Sequence, residues 1–247
     1  MRQVWTSNHE GVIGGVPFRF TTDYAEKTSP AEIIALKPKV FVDRYRDMFP
    51  APKRIVELGI FEGGSAILFA DMYPDAEIVA IDWLQDGNPA IAQHIERLGL
   101  SDRVHLHWGV SQDDAEALPR ILREAFGDET IDLVIDDASH QYGFTTRAFD
   151  ILYPRLAKGG HYVIEDWGWA HWPGYTVPEP LASDDKPLSA MIVELVLATA
   201  SLPGKHFMKQ IRGAQAIVEK LDDLPPFSEI VHTNQPFRWT GYERQPY

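Results

Sequence analysis

Residues 131–167 read IDLVIDDASHQYGFTTRAFDILYPRLAKGGHYVIEDW, and this stretch decides the fold. Residues 131–135 are a short, mostly apolar run that stops at Asp136 and Asp137. A helical stretch and Gly159-Gly160 follow, and residues 161–164 form a second apolar run that stops at Glu165 and Asp166. Two such runs joined by an amphipathic crossover predict adjacent buried parallel strands. Each strand then delivers a pair of carboxylates at its C-terminal end, the edge of an open α/β sheet at which ligands bind. Carboxylates converging there are either a hard-metal site or an electrostatic liability. Acids at strand ends also serve simply as caps of the next element.

Upstream, residues 54–68 read RIVELGIFEGGSAIL: a strand, a glycine-rich turn and the start of a helix. Glycine lets the backbone approach a ligand closely, and the helix N-terminus offers unpaired N–H groups. A plain tight βα turn also favours glycine. A second strand, residues 77–81 (EIVAI), ends in Asp82, where an acid can accept hydrogen bonds from a ribose diol. The dinucleotide pattern G-x-G-x-x-G is absent and E-x-G-x-x-x-G-G stands instead. Glu57 and Glu62 would oppose a pyrophosphate and suit a ligand with a positively charged amino-acid end.

Further along, residues 104–108 (VHLHW) predict a third strand, with Ser111 and Asp113 in the loop after it. Both are candidates for polar contacts to a ligand, and equally for capping the helix over DDAEALPRILREAF. His105 and His107 alternate along the strand and read as structural. Before the sheet, VIGGVPFRFTTD (residues 12–23) predicts a hairpin turning at Gly14-Gly15. Ser29-Pro30-Ala31-Glu32 predicts a helix start, and residues 40–48 a further helix. Residues 1–50 therefore read as a lid of cap helices before a main domain over 51–247. Residues 172–187 predict a loop over the rim, residues 189–201 a helix, and residues 207–219 with 230–232 the closing antiparallel strands.

The 247-residue chain carries a net charge of −13, from 36 acids against 23 bases, which argues against a nucleic-acid partner. It has no cysteine, so any metal must be held by oxygen or imidazole. The start MRQVWTSNHEG lacks an apolar leader core, and no run reaches the length of a membrane span. The expectation is a soluble, cytoplasmic protein with no membrane partner.

Asp137, Glu165 and Asp166 supply the oxygen ligands that Mg²⁺ or another divalent cation takes. His140, three residues after Asp137, offers an imidazole to accept a hydroxyl proton. Asp136 is an alternative holder of a ligand's amino group.

Residues 54–82 resemble the class I S-adenosylmethionine methyltransferases. With VELGIFEGGS, IVAIDW, the DDASH block and the VIEDW block together, residues 54–167 resemble the metal-dependent sugar O-methyltransferases of macrolide biosynthesis, the mycinamicin (MycE) type. That resemblance implies an α/β, Rossmann-like fold with a seven-stranded, mostly parallel sheet and a short N-terminal lid. It implies S-adenosylmethionine held by Glu57, Gly59, Glu62, Gly63, Ser65, Asp82, Trp83, Ser111, Asp113 and Asp136. It further implies a metal on Asp137, Glu165 and Asp166, and His140 as base. Ala138 stands where the family usually has glycine. Trp167, Trp169, His171 and Trp172 are candidates to wall the acceptor site, since aromatic faces suit sugar rings. The expected acceptor is a small molecule bearing a hydroxyl or vicinal diol, and a homo-oligomer is left open. A catechol-type O-methyltransferase and a non-catalytic S-adenosylmethionine-binding protein are the alternative readings.

Overall fold

The computed structural model describes residues 4–173 and 186–233. The chain divides into two compact units, Met1–Ala138 and Ser139–Tyr247. The expected rim loop lies largely outside the described residues, at 174–185, as does the aromatic tail after residue 233.

The first unit begins with a small sheet in the order β1 (Val4–Trp5), β2 (Glu10–Ile13), β3 (Val16–Phe20), β4 (Ile33–Ala35). Gly14 and Gly15, with φ of 55° and 85°, make the two-residue turn of the β2–β3 hairpin. Two consecutive positive φ values match the twist of a hairpin, which is why glycine stands there. The helix expected from Ser29 does not form. Ser29 and Glu32 exchange backbone hydrogen bonds in a turn, and Ile33–Ala35 then pairs parallel with β3. Ile33, Ile34 and Ala35 are all buried. A run of three buried residues, two of them β-branched, suits a strand covered on both faces better than a one-sided helix. The N-terminal region is therefore a sheet followed by one helix, α1 (Lys39–Met48).

The main sheet of this unit is β5 (Arg54–Leu58), β6 (Glu77–Asp82), β7 (Val104–Trp108) and β8 (Ile131–Asp136), with α2 (Gly64–Met72), α3 (Pro89–Arg97) and α4 (Ala117–Phe126) as the intervening helices. β5 pairs parallel with both β6 and β8. Leu58 stands opposite both Ile81 and Asp136, so the three strands end level. His105 on β7 meets Glu77, with 3.1 Å between Nε2 and Oε1, which agrees with a structural role.

The second unit holds α5 (Tyr142–Leu152), β9 (Leu156–Glu165), α6 (Ser189–Ser201), β10 (His206–Arg212), β11 (Gln215–Lys220) and α7 (Phe227–Thr233). β11 pairs antiparallel with β9 and with β10, as expected for the closing strands. Phe149 stacks on Tyr153 at 4.7 Å and tilts against Tyr162 at 5.0 Å, and all three are buried. The strand expected at 230–232 is instead part of α7. Phe227 and Ile230 are buried at helical spacing, and Asp150 accepts the Phe227 N–H at 2.7 Å. All these strands belong to one seven-stranded, mostly parallel sheet in the order β10-β11-β9-β8-β5-β6-β7. No helix among the described residues is long and apolar enough to cross a membrane.

Two consequences are measurable. A Cβ on Gly64 would lie 2.2 Å from the Ile34 carbonyl oxygen, and that obstacle is backbone that cannot swing aside. Gly64→Ala is therefore expected to lower stability by about 1–3 kcal/mol in denaturant unfolding. His206 is buried, its Nε2 lies 2.8 Å from the Leu195 carbonyl, and burial lowers its pKa. The unfolded chain then binds the proton more readily, so stability present above about pH 6.5 is lost as pH falls through the folded value. In urea titrations between neutral and mildly acid pH, His206→Gln should flatten that loss.

Candidate active site

In the first unit the site begins at the glycine turn after β5. Gly59 has φ 95°, and a Cβ there would lie 2.3 Å from the Asp137 carbonyl oxygen. Only glycine meets both the dihedral and the space. Gly63 caps α2 at φ 72°, with no side-chain cap on the helix. The first-turn N–H groups of α2, including that of the half-buried Ser65, are thereby left to donate to a ligand.

Asp82 shapes this turn. Its Oδ2 accepts from the Ile60 and Phe61 N–H groups at 2.8 and 3.0 Å, and its Oδ1 from Leu84 N–H at 3.0 Å. A carboxylate has about four acceptor positions, so a ribose hydroxyl can still be received. Trp83, next in sequence, is 71% exposed, an indole face open at the strand end. Glu57 is 1% exposed on β5.

Glu62 faces the N-terminal segment. Its Oε2 accepts from Thr28 N–H at 2.9 Å and from the Asn88 amide at 2.6 Å, and Lys27 pairs with its Oε1 at 3.1 Å. These partners make it a tether between the glycine turn and the segment before β4. Ser111 donates to Asp113 at 2.5 Å. Just before α4 it is Asp114 that accepts from the Ala117 and Glu116 N–H groups, at 2.8 and 3.0 Å. Those two N–H groups hold the Asp114 carboxyl below its ordinary range.

The acid block after β8 has two donors that sequence reasoning missed. The Gln112 amide donates to Asp136 at 3.2 Å, and both residues are buried. Lys37 is 3% exposed and pairs with Asp137 Oδ2 at 2.8 Å. Its signal was a lone lysine just after the apolar run of β4, which a helical reading of that run concealed. Asp137 N–H donates to the Leu58 carbonyl at 3.0 Å, fixing the acid block to β5.

In the second unit, His140 and Asp166 adopt positive φ, 56° and 49°. Left-handed backbone in a non-glycine residue is unfavourable, and such strain concentrates at functional sites. The Trp169 indole donates to the His140 carbonyl at 2.8 Å. Glu165 is 1% exposed and accepts from the Gln215 amide at 2.7 Å. Two residues past His140, the Tyr142 hydroxyl donates to Glu194 at 2.8 Å, and burial followed by that carboxylate pushes the phenol up. His171 lies against Ser189, with 2.6 Å between Nε2 and Oγ. Trp167 Nε1 is buried with no hydrogen-bond partner among the described residues, and Trp172 is 40% exposed.

Residues 56–167 match the methyltransferase-domain family. The fold is that of a class I methyltransferase. Over 132 residues the chain is 37% identical to the 8-demethyl-8-(2-methoxy-alpha-L-rhamnosyl)-tetracenomycin-C 3'-O-methyltransferase of Streptomyces olivaceus, covering 50% of this chain and 30% of that protein. It is 33% identical over 138 residues to the mycinamicin VI 2''-O-methyltransferase of Micromonospora griseorubida, covering 53% and 31%. The chain thus spans less than a third of these curated relatives. Among solved structures, the MycE methyltransferase of the mycinamycin pathway in complex with Mg and SAH is similar at a TM-score of 0.53 and 25% identity. That likeness covers 76% of this chain and 51% of the other. A caffeoyl-CoA O-methyltransferase homologue from Staphylococcus aureus shares the fold at a TM-score of 0.54 and 18% identity, covering 75% and 85%.

Asp82→Ala strips the Ile60, Phe61 and Leu84 N–H groups of a charged acceptor. It should lower stability by about 3 kcal/mol or more, and calorimetric SAH binding should be lost with it. Retained SAH affinity in a folded Asp82→Ala would place the organisation of the turn elsewhere.

Proposed function

We propose that the chain is an S-adenosylmethionine-dependent O-methyltransferase that uses a divalent cation, Mg²⁺ by preference. Its acceptor is a hydroxyl of a sugar on a glycosylated natural product. The observation that carries this reading is the close apposition of the glycine turn and the acid block. Gly59 passes directly over the Asp137 backbone, so the cradle for a sulfonium ligand borders the carboxylates. The tetracenomycin relative supports the acceptor class, since its name specifies a rhamnosyl acceptor.

The donors fit a hard cation. Asp137 and Asp166 are each half-buried and each offers a carboxylate oxygen. The chain has no thiolate to favour a soft metal. Asp137, Glu165 and Asp166 would hold the ion, which supplies positive charge that acidifies a nearby hydroxyl. S-adenosylmethionine, when bound, supplies the methyl group as a sulfonium.

The remaining work falls to side chains of this protein. Gly59, Gly63 and Ser65 open the α2 N-terminus to the amino-acid end of the cofactor, and Glu57 and Asp136 receive its ammonium. Asp82 keeps the turn in shape and receives the ribose hydroxyls. Trp83, with Ser111 and Asp113, would line the adenine. Glu62 acts one step back, tying Thr28 and Asn88 to the turn. His140 takes the proton that the acceptor hydroxyl loses as its oxygen gains the methyl group. The Trp169 indole keeps the strained His140 backbone in place. The half-buried Trp167 and the exposed Trp172 offer aromatic faces to a sugar.

Thermal denaturation with SAH, Mg²⁺ and both together tests the reading. SAH at about 100 times its Kd should stabilise the fold by about 2.7 kcal/mol, and Mg²⁺ should add a further increment. Asp137→Asn should lose the Mg²⁺ increment alone. His140→Ala should keep both increments and lose about 10²–10⁴-fold in methyl transfer. Absence of any SAH shift in the wild type would remove the methyltransferase reading, and an SAH shift without a Mg²⁺ increment would remove the metal.

A further inference from the structure

We propose that Thr28 is a positioning residue for the cofactor, setting the half of the glycine turn that receives its amino-acid end. The inference rests on the S-adenosylmethionine reading above. Thr28 lies outside the residues that match the methyltransferase-domain family, so the shared motif is completed here by the N-terminal segment.

The threonine is 4% exposed and engages each of its polar groups. Its N–H donates to Glu62 Oε2 at 2.9 Å, and its hydroxyl donates to the Glu62 carbonyl at 3.0 Å. The same hydroxyl oxygen accepts from Ile34 N–H at 3.0 Å, and the Thr28 carbonyl accepts from the Asn88 amide at 2.7 Å. Asn88 also donates to Glu62 Oε2 at 2.6 Å, which closes the ring of three residues. The glycine turn, β4 and the residue that caps α3 thus meet at one buried side chain.

The contact fixes the Glu62–Gly63 peptide. Gly63 stands at φ 72°, and glycine takes positive and negative φ about equally, so it does not hold that plane by itself. The plane is held from both edges. The Gly63 N–H donates to the Ile60 carbonyl at 2.7 Å, and the Glu62 carbonyl receives the Thr28 hydroxyl. Gly64 and Ser65 follow at the start of α2, where the amino-acid end of the cofactor would be received. The earlier half of the turn has a different keeper, since Asp82 accepts from the Ile60 and Phe61 N–H groups. Asp82 therefore sets the half that serves the ribose, and Thr28 the half that serves the amino acid. Removing the Thr28 hydroxyl should harm the second half and spare the first.

The test is calorimetric titration of the full chain with SAH and, separately, with 5′-methylthioadenosine, which carries the nucleoside and the sulfur but no amino-acid end. The proteins compared are wild type, Thr28→Val and Thr28→Ser, each checked for folding by circular dichroism and melting temperature. Thr28→Val keeps the β-branch and the N–H and removes the hydroxyl. Its SAH affinity should fall about tenfold, as when about a tenth of the free chain keeps the competent peptide plane. Its affinity for 5′-methylthioadenosine should stay at the wild-type value. Thr28→Ser keeps a hydroxyl and should bind both ligands as the wild type does. An unchanged SAH affinity in folded Thr28→Val overturns the proposal. So does an equal loss for both ligands, the mark of a turn loosened as a whole, or an SAH loss in Thr28→Ser as large as in Thr28→Val.

If Thr28→Val does not fold, or 5′-methylthioadenosine does not bind the wild type, a crystal structure of the wild type with SAH decides the matter. Thr28 Oγ1 on the Glu62 carbonyl, with the SAH carboxylate on N–H groups of the first turn of α2, upholds the proposal. Thr28 turned away from Glu62, or an amino-acid end bound elsewhere, overturns it. A wild type that binds neither ligand would remove the S-adenosylmethionine reading itself, and the proposal with it.

Discussion

The Gly59 backbone runs so close to the Asp137 carbonyl that no side chain fits between them. Most of the first unit's site follows from that approach. It requires β5 and β8 to pair parallel and end level, which the Leu58–Asp136 register provides. It requires a residue at position 59 that tolerates φ 95°. The turn beyond it must also be held open, and the Asp82 carboxylate does this through the Ile60 and Phe61 N–H groups. A cofactor cradle and an acid block become neighbours because the backbone has no alternative path.

A carboxylate at a strand end costs electrostatic energy to bury, and several of those here are answered by a specific donor. Asp136 has the Gln112 amide, Asp137 the Lys37 ammonium and Glu165 the Gln215 amide. Asp82 has backbone N–H groups. Most of these donors are buried, where a hydrogen bond to charge is stronger than in water and an unmet one more costly. Neutral amides at Gln112 and Gln215 fix the carboxylates without cancelling their charge, so the rim remains attractive to a cation. Lys37 is the exception, since it brings a full positive charge to Asp137.

The sheet was legible because its signals are short-range. Apolar runs ending in acids marked β8 and β9, glycines after β5 marked the cradle, and Gly14-Gly15 marked the hairpin. The misreadings share a cause. Ser29-Pro30-Ala31-Glu32 carries a good helix start, yet Ile33–Ala35 is drawn into a parallel strand by pairing with β3, a partner that local sequence does not reveal. At 230–232 a closing strand was expected, while the spacing of Phe227 and Ile230 and the Asp150 contact favour a helix. Lys37 and Gln112 were invisible for the same reason, since each reaches an acid far away in sequence. Glu62 was recognised as part of the turn, but its direction toward Thr28 and Asn88 was not.

The central claim is transfer of a methyl group to a sugar hydroxyl. The direct measurement is mass spectrometry after incubation with methyl-deuterated S-adenosylmethionine, Mg²⁺ and glycosylated acceptors, rhamnosides among them, with a chelated control. The account predicts a product bearing one deuterated methyl on the sugar, formed with equimolar SAH and abolished by chelation. Deuterated methyl on nitrogen, carbon or the aglycone, or transfer that persists undiminished without the metal, would contradict it.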